Sequence, residues 1–329
     1  MPADAAPAAW ARRGWLSALL RPAAGLFAAA AAIRRAAYRR GWLRSLSAGA
    51  PVVIVGNITT GGTGKTPIAG WLAQSLAKAG RKPAIVSRGY GGRRQRSPVR
   101  VTPSSDAGEV GDEPVMLARQ SGCPVWVCID RAGAARRAVA EGAEIVLSDD
   151  GLQHYRMTRD LEICVVDGAH GLGNGLRLPA GPLRESSRRL REVDEVLVQG
   201  MESEFPGLKF ELRIDRAVRL DGARQRPLAE FAGRRVLALA GVGVPQRFHA
   251  ALRAHGLEVE PVRVPDHGLV SLPALLKRGL PVIMTAKDAV KYPDPGGGDL
   301  WWAPASVYMP ESSRERVLRR VLALLDEDW

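Results

Sequence analysis

The chain has 329 residues, room for two domains of ordinary size, and a 46% hydrophobic content allows a sizeable core. Its 47 Lys+Arg against 34 Asp+Glu leave a formal charge of +13, which suits an acidic membrane face or a phosphorylated substrate and equally describes an Arg-rich coding bias with solvated arginines. Aromatics are only 5% and no nucleic-acid motif occurs, so no nucleic-acid partner is expected; Cys123, Cys128 and Cys164 lack disulfide or zinc spacing and read as small buried hydrophobes in a reducing compartment.

Residues 1–45 form the first segment. The longest uncharged run, between Arg21 and Arg34, is about half of the roughly 20 residues a membrane span needs. Arginines recur throughout, unlike a signal peptide with one basic end. Trp10, Trp15 and Trp42 interleave with Arg12, Arg13, Arg34, Arg35, Arg39 and Arg40, and Leu26, Ala30, Ile33 and Ala37 share one helical face. The pattern predicts an amphipathic helix, broken at Pro22, lying in a membrane interface. A helix packed on the protein's own core is the competing reading.

From residue 46 strand and helix signals alternate. PVVIVGN (51–57) is a short run rich in β-branched residues, so a buried strand, and a Gly-rich turn follows it. Pro67–Ala79 predicts a helix with Ile68, Leu72, Leu76 and Ala79 on one stripe and Pro67 in the first turn. KPAIVSRGYGG reads as a strand entering a Gly loop, EPVMLARQSG as a helix, CPVWVCID as a strand and RAGAARRAVAEG as a helix. AEIVLSDDG, DLEICVVDG and VDEVLVQG add three strands. This alternation predicts a parallel sheet covered on both faces over 46–208.

Composition shifts near residue 201. KFELRIDRAVRL (209–220) alternates apolar and polar residues and predicts a half-exposed strand. RRVLALAGVG opens a second βα series that runs through FHAALRAHG, LEVEPVRVPDHG, LPALLKRG and PVIMTAKDAVK. GGG (296–298) reads as a loop, WWAPASVYM as a strand and 310–328 as a closing helix. The expected fold is α/β: a P-loop NTPase-like domain at 46–208 and a smaller α/β domain at 218–300. The chain crosses between them at 209–217 and 301–309, and the closing segment 310–329 packs back on the first domain.

GNITTGGTGKTP nearly matches the phosphate-loop pattern G-x-x-x-x-G-K-[ST], with Thr59 where the first glycine belongs. A strand, a Gly-rich turn and Lys-Thr opening a helix is the right context, because N–H groups and the helix dipole favour an anion there. Lys65 is expected at the β/γ phosphates and Thr66 at Mg²⁺, with Gly61 and Gly62 supplying the positive-φ turns. A metal also needs an acid at a strand end; EIVLSDDG ends in Asp149 and Asp150, of which only one faces the metal if the strand continues that far. In GDEP (111–114), Asp112 and Glu113 are either catalytic or an ordinary helix start with Asp112 as N-cap.

The motifs VGNITTGGTGKTP, SRGYGG, VGDEPVMLA, DR (130–131), LSDDGLQHYRMTRDLEI, LPAGPLRE (178–185), GVGVPQRF, PDH (265–267) and KDAVK (287–291) occur in that order. The set closely resembles the tetraacyldisaccharide 4'-kinase family, the lipid A 4'-kinases of Gram-negative bacteria, over nearly the whole chain. DDGLQH with LPAGPLRE is the most specific part. The resemblance implies two α/β domains meeting at the active site through a two-stranded linker, and a helix on the cytoplasmic face of the inner membrane. It implies transfer of the ATP γ-phosphate, with Mg²⁺, to the 4'-hydroxyl of an acylated glucosamine disaccharide 1-phosphate by a monomer.

Carried over by motif, Gly61, Gly62, Thr63, Gly64, Lys65 and Thr66 hold the nucleotide and Asp112 is the base on the sugar hydroxyl. His267 orients or tunes that base. Thr66, Glu113 and Asp150 hold the metal, and Asp149 and Asp150 count as catalytic, lying with Glu113 around the metal and the attacking hydroxyl. Tyr90, Arg131, His154, Arg184 and Glu185 line the substrate or phosphate cleft; the plain reading of Arg184 and Glu185 is a surface ion pair. Ala286, where the family carries Glu, and Gly268 after PDH depart from the pattern. The alternative of another class is a P-loop ATPase switch or partner-binding module at the membrane, which hydrolyses ATP without a lipid acceptor.

Overall fold

The structure, a computed structural model, describes residues 10–264, 269–292 and 297–326. Helices α1 (Trp15–Leu19) and α2 (Arg21–Arg39) come first. Then follow β1 (Val52–Gly56), α3 (Lys65–Lys78), β2 (Pro83–Ser87), β3 (Val99–Val101), α4 (Ala107–Val110), α5 (Asp112–Ser121) and β4 (Val125–Val127). Next are α6 (Arg131–Ala140), β5 (Ile145–Asp149), β6 (Leu161–Asp167), β7 (Glu195–Gln199) and β8 (Leu208–Arg213). The second half holds β9 (Arg216–Arg219), β10 (Gln225–Pro227), β11 (Arg235–Leu239), α7 (Pro245–Ala254), β12 (Glu258–Val262) and α8 (Leu272–Leu276). It continues with β13 (Val282–Thr285), α9 (Ala286–Ala289), β14 (Leu300–Ala303), β15 (Ser306–Tyr308) and α10 (Glu311–Asp326).

Nine strands form one sheet in the order β15-β8-β7-β6-β1-β5-β2-β4-β3. Its seven inner strands are parallel, and β15 and β3 are antiparallel edges. The pleat sorts β1 between two cores. Val53 and Val55 join Ile68, Leu72 and Leu76 of α3, Leu117 of α5, and Val317 and Val321 of α10. Val52 and Ile54 join Ala132, Ala134, Ala135 and Ala138 of α6 on the opposite face. Burial on both faces is why these strands read as continuous apolar runs.

A second sheet of six strands runs β10-β9-β14-β13-β11-β12, with β12, β11, β13 and β14 parallel. The single strands expected over 209–220 and 301–309 are each two strands in different sheets. β8 and β15 pair with each other in the first sheet, Arg213 opposite Ser306, whereas β9 and β14 pair in the second, Trp302 opposite Val218. Pro304, which has no N–H to give to a ladder, lies between β14 and β15. Alternation of apolar residues does not register such a change of partner.

The N-terminal break falls at Leu20, with Pro22 in the first turn of α2, and Ala24 and Ala37 are buried against the body of the protein. Leu26 and Ile33, at 76% and 68% exposure, point outward with Trp15, Leu19 and Trp42. Ala37 departs from the outward stripe, and its carbonyl accepts the Leu43 N–H just past the positive-φ Gly41. No helix among the described residues is long and apolar enough to cross a membrane.

Candidate active site

The Gly-rich turn joins β1 to α3 at the C-terminal edge of the first sheet. Gly61 (φ 114°) and Gly64 (φ 89°) make the positive-φ turns. Gly62 does not, which corrects the expectation that Gly61 and Gly62 share this task. Gly64 is also the N-cap of α3, and a Cβ there would meet the Phe210 ring at 3.2 Å. Thr59, in the place of the usual first glycine, is buried and bridged to Leu183, while the Thr60 N–H donates to the Pro182 carbonyl at 2.9 Å. The departure from the generic motif therefore ties the loop to the LPAGPLRE segment. Asn57 donates its amide N–H to Thr63 Oγ1 at 3.2 Å and is itself fully buried.

Acids from two other elements, Glu113 of α5 and Asp149 and Asp150 at the end of β5, act on the Lys65 charge. Asp149 ends β5, is fully buried and accepts the Thr66 hydroxyl at 3.0 Å. Burial raises its pKa, against the opposing charge of Lys65. Asp150 has left the strand, with φ 52°, so strict alternation does not decide which of the pair faces the loop. Arg184 Nη1 donates to Asp150 Oδ1 at 2.9 Å, and Arg131 Nη1 to the Asp150 carbonyl at 2.6 Å. Burial pushes the Asp150 carboxyl up, but Lys65, Arg184 and Arg131 outweigh it and hold the pKa below the ordinary value. Burial likewise works against the Lys65 charge, and Asp150, Glu113 and Asp149 overcome it and raise its pKa.

Asp112 and Glu113 open α5, but Asp112 is not its N-cap. Gly111, with φ 94°, is. A side chain at Gly111 would come within 2.6 Å of the Tyr90 carbonyl, so SRGYGG packs backbone to backbone on GDEP. The Asp112 carboxylate is thus free of the capping role that competed with catalysis. Burial raises its pKa, opposed by Lys291 and Lys287. Lys291 Nζ lies 3.8 Å from Asp112 Oδ2, and Lys287 Nζ 3.9 Å from Glu113 Oε1. Both lysines come from the second sheet's edge, after β13, and neither was among the site residues expected from sequence.

The family described as Tetraacyldisaccharide-1-P 4'-kinase matches residues 16–323. The chain is 47% identical over 322 residues to the tetraacyldisaccharide 4'-kinase of Alkalilimnicola ehrlichii, covering 94% of this chain and 95% of that one. It is 46% identical over 323 residues to that of Thiobacillus denitrificans, covering 95% and 97%. The chain belongs to the tetraacyldisaccharide 4'-kinase family. The fold agrees: the Aquifex aeolicus LpxK solved in complex with ATP superimposes with a TM-score of 0.80 at 26% identity, over 94% of this chain and 99% of that one.

The other residues expected to line the cleft of a tetraacyldisaccharide 4'-kinase occupy distinct settings. Arg131 and Arg184 converge on Asp150, so Arg184 does not form the surface pair with Glu185. Glu185 is buried and accepts from Gln153 at 2.8 Å and from the Tyr155 hydroxyl at 2.5 Å. Gln153 also donates to the Asn57 carbonyl at 3.0 Å, linking Glu185 to the start of the Gly-rich loop. DDGLQHY contained this brace, but nothing in the spacing separates a brace from a ligand. Burial, aided by Arg131, pushes the His154 imidazole down to about 4, so it is neutral at pH 7, and its Nε2 has no partner among the described residues. Tyr90 is exposed. His267 and Gly268 lie outside the described residues, as does Gly296 of the GGG loop.

Proposed function

We propose that this chain transfers the γ-phosphate of ATP to the 4'-hydroxyl of an acylated glucosamine disaccharide 1-phosphate in lipid A biosynthesis, giving the 1,4'-bisphosphorylated precursor. The observation that carries the reading is the convergence of Glu113, Asp149 and Asp150, from α5 and β5, on Lys65 of the Gly-rich loop. Lys65 and the loop N–H groups, from Gly61 through Thr66, hold the phosphates. Asp112 takes the proton of the sugar hydroxyl as phosphoryl transfer proceeds; its raised pKa makes it a stronger base than an ordinary Asp. His267 is assigned to orient it. Arg184 and Arg131 keep Asp150 in place, and His154 offers a neutral acceptor to a sugar hydroxyl or amide. Tyr90 and Glu185 complete the substrate side, Glu185 through the Gln153 brace.

Thr66, Glu113 and Asp150 are the residues that would hold Mg²⁺. They offer only hard oxygen donors, and no closed set of three or more acidic, His or Cys ligands occurs among the described residues. That suits an ion which takes one or two carboxylates and completes its shell with water and phosphate oxygens. When bound it neutralises charge on the transferring phosphate.

The reading includes two domains, 46–208 with 310–329 and 218–300, joined through 209–217 and 301–309. The 1–45 segment rests on the cytoplasmic face of the inner membrane and the enzyme acts as a monomer. Outward Trp15, Leu19, Leu26, Ile33 and Trp42 beside many arginines support an interfacial seat for that segment. The test is incubation with labelled ATP, Mg²⁺ and acylated disaccharide 1-phosphate in detergent. Labelled bisphosphorylated lipid is expected. ATP hydrolysis without an acceptor, and no lipid product, would replace the kinase with the ATPase switch.

A further inference from the structure

Lys291 bridges two carboxylates on different sheets. Its anchor is Asp288, which is 1% exposed. Asp288 accepts the Gly241 N–H at 2.8 Å and the Thr285 hydroxyl at 2.6 Å. Gly241 follows β11 and Thr285 ends β13, so the carboxylate is fixed at the C-terminal ends of two neighbouring strands of the second sheet. Gly241 is the residue type this contact requires, because a Cβ there would fall 2.6 Å from Asp288 Oδ1. Lys291 Nζ donates to Asp288 Oδ1 at 3.1 Å, and Asp112 Oδ2 of the first sheet is its next acidic neighbour, at 3.8 Å.

The segment carrying Lys291 is seated independently of this charge. Val290 is buried in the core that α3 and α5 share, and Arg119 of α5 donates to the Ala289 carbonyl at 3.3 Å. Lys291 and Asp112 are 20% and 27% exposed, so the pair is unlike the solvent-spread ion pairs whose contribution is close to nothing. Among the described residues Asp112 makes no other ion pair within 4.0 Å. Its Oδ2 is the oxygen that the ammonium approaches.

We propose that Lys291, held by Asp288, is a positioning residue that fixes the Asp112 carboxylate from across the cleft. The assignment rests on the reading of Asp112 as the base. A carboxylate that must meet a hydroxyl proton in one orientation loses rate when its rotamer is left loose, and a loosely attached base is what removal of the ammonium produces. Lys287 gives Glu113 a parallel but longer contact, at 3.9 Å, without a buried anchor of its own among the contacts of Asp288.

The experiment is a kinetic comparison of Lys291→Met, Lys291→Arg, Asp112→Asn and the Asp112→Asn/Lys291→Met double variant in full-length protein, with melting temperatures measured alongside. Lys291→Met should lower kcat about 10- to 100-fold, with KM for ATP and for the acylated disaccharide 1-phosphate within about threefold of wild type. Lys291→Arg should recover much of the loss, which separates positioning from general stability. In the Asp112→Asn background Lys291→Met should cost nothing further, since its effect passes through Asp112. Losses that multiply in the double variant, or a raised KM for ATP at unchanged kcat, would overturn the proposal and make Lys291 a phosphate ligand. Wild-type kcat in Lys291→Met with an inactive Asp112→Asn would overturn it while leaving the base in place. A fully active Asp112→Asn would instead remove the base itself, and with it the role given to Lys291. If Lys291→Met does not fold, Lys291→Gln and Lys291→Arg carry the same comparison.

Discussion

The Gly-rich loop and the KDAVK turn invite comparison. Each follows the C-terminal end of a parallel strand, β1 or β13, and each presents lysine to carboxylates. They differ in where those carboxylates lie. The partners of Lys65 belong to its own sheet unit, and Thr59 and Thr60 fasten the loop to Leu183 and Pro182. Lys287 and Lys291 face Glu113 and Asp112 of the other sheet. One half of the site is therefore built within a single rigid core, whereas the other is completed only as the two sheets meet. A site divided in this way can exclude water only once both halves are together.

The largest expected effect tests the acid at this meeting point. Asp112→Asn should lower kcat by about 10²- to 10⁴-fold with ATP affinity little changed, measured by steady-state transfer and nucleotide titration. Its wild-type counterpart should show an acid limb in kcat/KM above the ordinary carboxylate range. The direction follows because the raised pKa keeps Asp112 protonated, and idle as a base, to higher pH. A limb at or below the ordinary range would deny Asp112 the role.

Within the self-contained half, Lys65→Ala should cost about 100- to 1000-fold in kcat/KM, from lost stabilisation of transferring charge. Unlike a change at Lys291, it should weaken ATP binding as well. Equal behaviour of the two lysines would erase the contrast. At helix α2, Leu26→Glu with Ile33→Glu should lower the vesicle partition coefficient by about 10²- to 10⁴-fold. That follows from roughly 1.5–3 kcal/mol for burying each such side chain. Detergent-assay kcat should stay near wild type. The smallest effect concerns the far end of the inter-sheet contact, where Arg247 Nη2 meets Asp167 Oδ2 at 2.9 Å. The Arg247 side chain is only 38% exposed and Asp167 less so, yet the pair lies at the rim, so Arg247→Ala should lower stability by about 1 kcal/mol, read from denaturant midpoints. A larger loss would mean that this contact, rather than α5 against α9, governs how the sheets meet.

Much of this could be read from residues alone. The alternation of β-branched runs with helical stripes marked the parallel sheet, and Gly-Lys-Thr after a buried strand marked the loop. What escaped was partnership. Thr59 looked like a defect in the motif and is the residue through which the loop meets Leu183. Asp112 looked like a helix cap, a task that Gly111 performs with a positive φ. Arg184 and Glu185 read as cleft residues or, more plainly, as a surface pair; the pair does not form, since Arg184 binds Asp150 and buried Glu185 accepts from Gln153 and Tyr155. The strand breaks at 214–215 and 304–305 escaped for the same reason, since apolar alternation reports burial without naming the sheet.

The sequence by itself determined the α/β alternation, the Gly-rich turn after a buried strand and the acids near it, because strand period, helix stripe and turn chemistry act within a few residues. Only the tertiary structure decided that Leu26 and Ile33 face outward while Ala37 does not, and that Asp150 leaves its strand. It also brought Lys291 to Asp112. Those outcomes depend on how separate elements pack, and no local pattern encodes a distance between side chains that the chain itself keeps far apart.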